Sequence, residues 1–477
     1  MSTTKEISRG KVYQFFLCDV AKGLFNGMIG NYLLYFYQPT VTSGITALLP
    51  SNKLLGFITI MALLTGISKV IDAISDPLVA NLSDKLNSKY GRRMSLMRIA
   101  AIPYAISVLM IFLAPFAPGS VWNAVWVGIF LVIYYTAYTF YYIPQRALIP
   151  EIIPDSKKRV GYYAVSTALF MGSSAVMYAT TLFVSFFKQA GFDAITSWRL
   201  VFTIFAVVGM ACLVASAFAF KENDYVKTHA TPQDSIWKSF AIVFKNKNFV
   251  IFTIGDLASY ISMAFFQSAM LYYITTLLGI KESQSFIVMA VAIAVAICSF
   301  PLIVKISKKY NKKLPLMIGS IIFAVVFALI YFGDNIASLM PGLELIIGIV
   351  MGLAVAFPFA AINILPQSIV SDIIQEDSLQ SGINREGIFS ATKTFIEKIA
   401  YAIAMVIVSS VLAIGAQEGE EVGLLGVKLT GVFACVFTVI SIVFFKLYDD
   451  KKVTENIEKL KGNIQAEGAV EDVKGDE

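Results

Sequence analysis

Twelve predominantly apolar stretches follow one another along the chain, near residues 12–38, 54–80, 95–115, 120–145, 160–187, 198–220, 248–278, 285–305, 314–333, 343–371, 388–413 and 425–447. Each is long enough to cross about 30 Å of hydrocarbon as a helix. The pattern predicts an all-α membrane protein with 12 transmembrane helices. The longest polar connection divides them six and six. This predicts an N-terminal six-helix bundle over 1–220, a central cytoplasmic loop over 221–247, a C-terminal six-helix bundle over 248–447 and a cytoplasmic tail over 448–477. An amphipathic piece is expected around Ile236 to Phe244. The tail is charged and poor in aromatics, so it reads as a frayed helix or a disordered segment.

Composition agrees: the chain is 57% hydrophobic and only 15% charged, with a mean hydropathy of +0.72. Soluble domains are about 25% charged. Lys and Arg accumulate on the cytoplasmic side of membranes, and an inside N-terminus leaves about 28 of them in cytoplasmic segments and about four (Lys53, Lys188, Arg199, Lys281) outside. Both termini are therefore predicted to be cytoplasmic. The net charge of +6 belongs to those loops and gives no reason to expect nucleic acid as a partner. The N-terminus has no short apolar segment with a cleavage site, so the first span is expected to stay. Cys18, Cys212, Cys298 and Cys435 fall within predicted helices and read as packing residues, with no disulfide or metal spacing. No phosphate-cradling loop argues for a pump. The only histidine, His229, sits in the central loop, leaving no constellation for an enzyme or a cofactor.

Chemistry enters with the second span, which carries Lys69, Asp72 and Asp76. A carboxylate at the centre of a spanning helix costs about 2.5 to 3.5 kcal/mol, so two on one span mark an ion pathway. At i and i+4 they share a helical face. Close carboxylates either share a proton or bind a small cation through hard oxygen ligands. In the eleventh span Lys398, with Thr394 a turn before it and Lys393 and Glu397 nearby, needs a carboxylate partner, and the second span offers two.

The halves repeat each other. Lys89, Tyr90, Gly91, Arg92 and Arg93 after span two read against Lys309, Tyr310, Asn311, Lys312 and Lys313 after span eight. Asp19 and Ala21 read against Asp256 and Ala258, with Leu34-Tyr35 and Leu271-Tyr272 following at one interval. Two six-helix halves in parallel repeat resemble the major facilitator superfamily, in which substrate sits at midplane between rocking bundles. Asp72, Asp76, Pro77, Ser83, Asp84 and the Lys89–Arg93 run resemble the melibiose-permease-like branch, the glycoside-pentoside-hexuronide:cation symporters. Tyr138, Thr139, Ile143, Pro144, Ala147 to Glu151, Asp372, Arg385 to Gly387 and Lys398 extend the resemblance over nearly the whole chain.

The resemblance implies that Asp72, Ser75, Asp76 and Thr139 surround H+, Na+ or Li+, with Lys398 linking the cation to the sugar. Ser75 stands where that branch carries an amide, which tilts the reading toward protons. The alternative is that Lys69 or Lys398 merely neutralises the aspartates. The family's three charged sugar ligands match Gly23, Tyr142 and Thr167, so all three charges are missing. Asp19, Lys22, Tyr142, Gln145 and Arg146 are expected to replace them, joined by Thr167, Asp256, Asn363, Thr394 and Lys398. An anionic substrate would suit Arg146, Lys22 and Lys398. Against this, Arg146 reads equally as a residue snorkelling to headgroups, Asp19 and Lys22 as a local i,i+3 pair, and Asp256 as a buried polar contact. Asp84, Arg92 and Arg93 resemble the superfamily's cytoplasmic gate, with Asp372, Glu376, Asp377, Arg385 and Glu386 as a second latch. The alternative for both is a solvated loop.

The resemblance implies a monomeric, cation-coupled symporter of a glycoside, pentose, hexose or hexuronide, expected in a bacterial inner membrane. A carrier of a lysolipid or other amphiphile on the same fold is the runner-up, followed by an uncoupled facilitator or exporter.

Overall fold

The computed structural model describes residues 7–40, 43–50, 53–54, 58–86, 88–153, 156–225, 243–381, 386–417 and 420–460. Lipid offers no hydrogen-bond partner to the backbone, so an apolar run must satisfy its own N–H and C=O groups as a helix. Helices occupy every predicted span. Among the described residues, 10 are long and apolar enough to cross a membrane. The remaining two spans are the charged second helix and the interrupted first one.

The first rod breaks into α1 (Arg9–Phe16), α2 (Cys18–Gly27), a π-helical turn (Met28–Tyr32) and α3 (Leu33–Tyr37). A short antiparallel pair, β1 (Lys53–Leu54) and β2 (Ile58–Thr59), precedes α4 (Ile60–Lys85). Then come α5 (Arg92–Leu113), α6 (Val121–Ile152), α7 (Ser156–Met177), α8 (Thr180–Gln189) and α9 (Ala194–Ala217). The second half comprises α10 (Lys247–Tyr272), followed by a π-turn (Tyr273–Leu277), then α11 (Ser285–Lys309), α12 (Lys313–Ile330), the short α13 (Gly333–Leu339), α14 (Glu344–Ser381), α15 (Glu386–Leu412) and α16 (Leu424–Leu447). Side-chain caps fix several starts. Thr59, Ser120, Asp193 and Asn246 each accept a backbone N–H from the first turn of α4, α6, α9 and α10, each cap contributing about 1 kcal/mol.

Three features differ from the sequence reading. The first and fifth spans are broken rather than continuous, the fifth between α7 and α8. The chain is helical again over 450–460, docked by buried Val453 and Ile457 and by Asn456, which donates to Glu376 Oε1 at 2.7 Å, so this part of the tail is neither frayed nor disordered. His229 and most of the expected amphipathic piece lie outside the described residues.

In the first half α5 packs on α6 and α9, α4 on α6, and α2 on α7 and α9; in the second, α10 packs on α15 and α16, α11 on α14, and α12 on α14 and α16. The halves meet where α4 lies along α15 and where the first π-turn touches α10. Away from the chain termini they are tied together. The Tyr35 and Tyr272 rings lie 5.2 Å apart, the Tyr272 hydroxyl donates to Gln38 O at 2.8 Å, and Ser409 Oγ bridges Gln38 Oε1 (2.8 Å) and Thr59 Oγ1 (2.6 Å). Lys188 Nζ also pairs with Glu282 Oε2 at 2.7 Å.

Candidate functional site

α4 lays Asp72, 1% exposed, and Asp76 one turn apart on the face turned to α6 and α15. Lys398 Nζ, from α15, stands 2.9 Å from Asp72 Oδ1 and 2.6 Å from Asp76 Oδ1. Thr139 Oγ1, from α6, lies 3.1 and 3.0 Å from the same two oxygens. Ser75 Oγ donates to the Asp72 carbonyl at 2.9 Å and sits 3.4 Å from Thr139 Oγ1. Lys69 Nζ approaches Asp72 Oδ2 at 3.4 Å, between the rings of Tyr135 (3.9 Å) and Tyr401 (4.9 Å). Two carboxylates and two ammonium groups sum to zero, which limits the cost of burying them. The Lys398 ammonium lies between the two Oδ1 atoms. A small cation reaching those oxygens must displace it, whereas a proton would neutralise one carboxylate and weaken its hold.

Beside this cluster lies a cavity of about 700 Å³ between the halves, within the range of small-molecule sites. Its first-half wall carries Lys22, Asn26, Asn31, Lys69, Tyr138 and Arg146. The first π-turn contributes Gly30 and Asn31, a local distortion of the kind found at functional sites. Its second-half wall carries Asp256, Gln267, Asn363, Lys393, Thr394, Glu397 and Lys398. There Lys393 pairs with Asp256 Oδ2 at 3.2 Å and with Glu397, so Glu397 serves Lys393 while Lys398 faces α4.

Of the residues expected to bind substrate, Lys22, Arg146, Asp256, Asn363, Thr394 and Lys398 line this cavity. The other four stand off its lining. Asp19 is 5% exposed and accepts the Ser166 hydroxyl at 2.6 Å rather than pairing with Lys22. The Tyr142 hydroxyl donates to Cys18 O at 2.7 Å, and Lys22 sits 5.5 Å from its ring centroid. Gln145 is buried, and Thr167 is exposed on α7. Tyr138, one turn before Tyr142, presents the aromatic surface instead. Gly23, where the resemblance would place a sugar carboxylate, is the close approach of α2 to α7: a Cβ there would overlap Ser173 Oγ and lie 2.5 Å from the Phe170 carbonyl oxygen. No side chain fits.

The expected gate residues Arg92 and Arg93 are buried and meet Glu151 and Glu222 of their own half. Arg92 Nη2 and Arg93 Nη1 hold Glu151 Oε1 at 2.9 and 2.6 Å. Glu222, 3% exposed, accepts the backbone N–H groups of Arg93 (2.8 Å) and Met94 (2.9 Å) at the start of α5, where the helix dipole favours an anion. Gly91, at φ +99°, leaves the room its carboxylate needs. Asp372 pairs with Lys312 at 2.5 Å, again within one half. Arg385 and the side chains of Asp84 and Glu386 lie outside the described residues. Sequence reasoning missed Glu222, the Lys393 triad and the Lys188–Glu282 bridge. Their signal was charge inside or beside a span.

A helical membrane protein with a buried charged cluster beside a polar cavity between its halves has the anatomy of a carrier. The chain belongs to the MFS/sugar transport protein family, whose pattern matches residues 14–448; these are transporters, not enzymes. It is 22% identical over 435 residues to the lactose permease of Leuconostoc lactis, covering 88% of this chain and 65% of that protein. It is 21% identical to the lactose permease of Lactobacillus helveticus (96% and 72%) and 20% identical to the sodium-dependent lysophosphatidylcholine symporter 1-A of Danio rerio (74% and 70%). In fold it resembles the nucleoside transporter NupG, with a TM-score of 0.65 at 13% identity over 92% of this chain and 99% of that one. A bacterial homologue of the human lysosomal transporter Spinster, in an inward-facing and unoccupied conformation, gives 0.62 at 14% identity over 94% and 97%. The major facilitator fold is thereby established.

Proposed function

We propose that the protein is a secondary active transporter coupling H+ or Na+ to sugar symport by alternating access between two six-helix bundles, 1–220 and 248–447. The observation that carries this reading is Lys398 of the second half lodged between Asp72 and Asp76 of the first, beside a polar cavity. Relatives named lactose permeases support the sugar. In this reading the coupling cation binds at Asp72, Asp76 and Thr139, with Ser75 next to them, and frees Lys398 from its bridge. Substrate then fills the cavity and the halves rock. The ties through Gln38, Ser409, Tyr272 and Lys188 close the face away from the termini, which the positive-inside rule makes external. The molecule is then open to the cytoplasm of a bacterial inner membrane. An ion gradient equivalent to about 100 mV supplies about 2.3 kcal/mol per cation carried, enough for roughly 50-fold accumulation.

A lysolipid is the second reading. It is favoured by an apolar cleft lined by Phe266, Ile274, Leu277, Val288 and Ile330, apart from the polar cavity. Uptake of labelled sugars and lysolipids into proteoliposomes, with and without ionophores that collapse the Na+ and H+ gradients, tests both. Sugar accumulation that disappears with one ionophore supports symport; accumulation indifferent to both contradicts it.

A further inference from the structure

Five cationic side chains line the cavity, and three of them are committed. Lys69 and Lys398 hold Asp72 and Asp76, and Lys393 holds Asp256 and Glu397. The other two, Lys22 and Arg146, share the first-half wall and have no carboxylate at ion-pairing distance among the described residues. Lys22 lies over the faces of Tyr142 and Phe170, at 5.5 and 5.3 Å. Such contacts are worth about 0.5 to 2 kcal/mol but accept none of its N–H groups. The acidic group nearest in sequence, Asp19, is buried behind the wall and takes its hydrogen bond from Ser166.

Summing local charge separates three regions. The cation cluster is neutral. Lys22, Arg146 and Asp19 sum to +1. Asp256, Lys393 and Glu397 sum to −1, but both carboxylates there already receive a hydrogen bond or ion pair from Lys393. The uncommitted groups are therefore donors, five N–H on the guanidinium and three on the ammonium. Asp19 and Glu397 act on these two cations only at a distance, and a membrane-cavity cation with no carboxylate in contact is costly. A planar anion satisfies the guanidinium fork with two parallel bonds, which a sugar hydroxyl cannot do. Tyr138 on the same wall offers a ring face to an apolar sugar surface.

We propose that the substrate is a monoanionic sugar, bearing a carboxylate or an equivalent acidic group seated between Arg146 and Lys22. This rests on the sugar-symport reading. Lys398 takes no part in holding the anion, in contrast to the three-residue cluster expected from sequence, because it belongs to the cation site. One consequence is electrical: one monovalent cation carried with one monoanion moves no net charge, so uptake follows the ion's concentration gradient and ignores membrane potential.

The test uses the full chain in proteoliposomes, matched pairs of a neutral methyl glycoside and its uronic acid, fixed Na+ and pH gradients, and potential clamped with K+ and valinomycin. The acid should be taken up at least about tenfold better than its neutral partner, at equal rates with and without an inside-negative potential. Arg146→Gln should raise KM for the acid about tenfold or more, and by a far smaller factor for the neutral partner, because only the acid loses a charged hydrogen-bond pair. Arg146→Lys should recover part of the loss, and Lys22→Gln should repeat it more weakly. Neutral sugars carried as well as acids, or uptake stimulated by potential, would overturn the anionic substrate and leave sugar symport standing. Ion-coupled uptake of lysolipid with neither kind of sugar carried would overturn both.

Discussion

Asp76→Asn keeps the shape of the cation cluster and removes one charge. The local sum then rises from zero to +1, because Lys69 and Lys398 face Asp72 alone. At a separation of about 4 Å and an effective dielectric of about 20, one unit-charge contact is worth about 4 kcal/mol. That converts to a cation affinity lower by about three decades. The Asp76 side chain is 21% exposed, so water screening brings the expected loss to between about 30-fold and 1,000-fold. The assay compares two modes in proteoliposomes: accumulation driven by an imposed Na+ or H+ gradient, and exchange of internal labelled for external unlabelled substrate. Accumulation should vanish while exchange persists, because the residues lining the cavity wall are untouched. Full gradient-driven accumulation in the variant would refute the coupling role of Asp76.

Two further perturbations probe the frame around the site. Gly23→Ala places a methyl group against Ser173 and the Phe170 carbonyl; overpacking of about 1 to 3 kcal/mol should lower the thermal midpoint of the purified protein by several degrees, and an unchanged midpoint would contradict the close approach of α2 to α7. Lys188→Gln removes a partly exposed bridge between the halves, worth about 0.2 to 1 kcal/mol. It should raise, by up to about fivefold, the rate at which an impermeant maleimide added from that face labels Cys in an Ile29→Cys variant. An unaltered rate would exclude the bridge as a latch.

The spans were legible because a long apolar run in lipid has one solution, a helix, and the aspartate pair because i and i+4 lie on one face whatever surrounds them. A lysine within a span needs a carboxylate, which pointed Lys398 to Asp72 and Asp76, and its Nζ lies 2.9 and 2.6 Å from them. Contacts set by the relative rotation of two helices were not legible. Asp256 and Lys393 lie on different helices, and spacing along either says nothing of their meeting. Tyr138 and Tyr142 share a face of α6, yet only Tyr138 reaches the cavity because Lys22 and Cys18 engage Tyr142. The arginines after α4 were expected to latch the halves when the cavity faces outward and to release when it faces inward; which carboxylates they meet, Glu151 at the end of α6 and Glu222 in the turn after α9, was not legible from spacing.

Solute-triggered cation flux in reconstituted wild-type protein tests the central claim most directly, with internal pH and Na+ recorded while sugars are added in turn and no ion gradient is imposed. Acidification or Na+ entry triggered by a sugar and absent in Asp76→Asn is the predicted result. Sugar entering with neither ion moving would contradict cation coupling at Asp72 and Asp76.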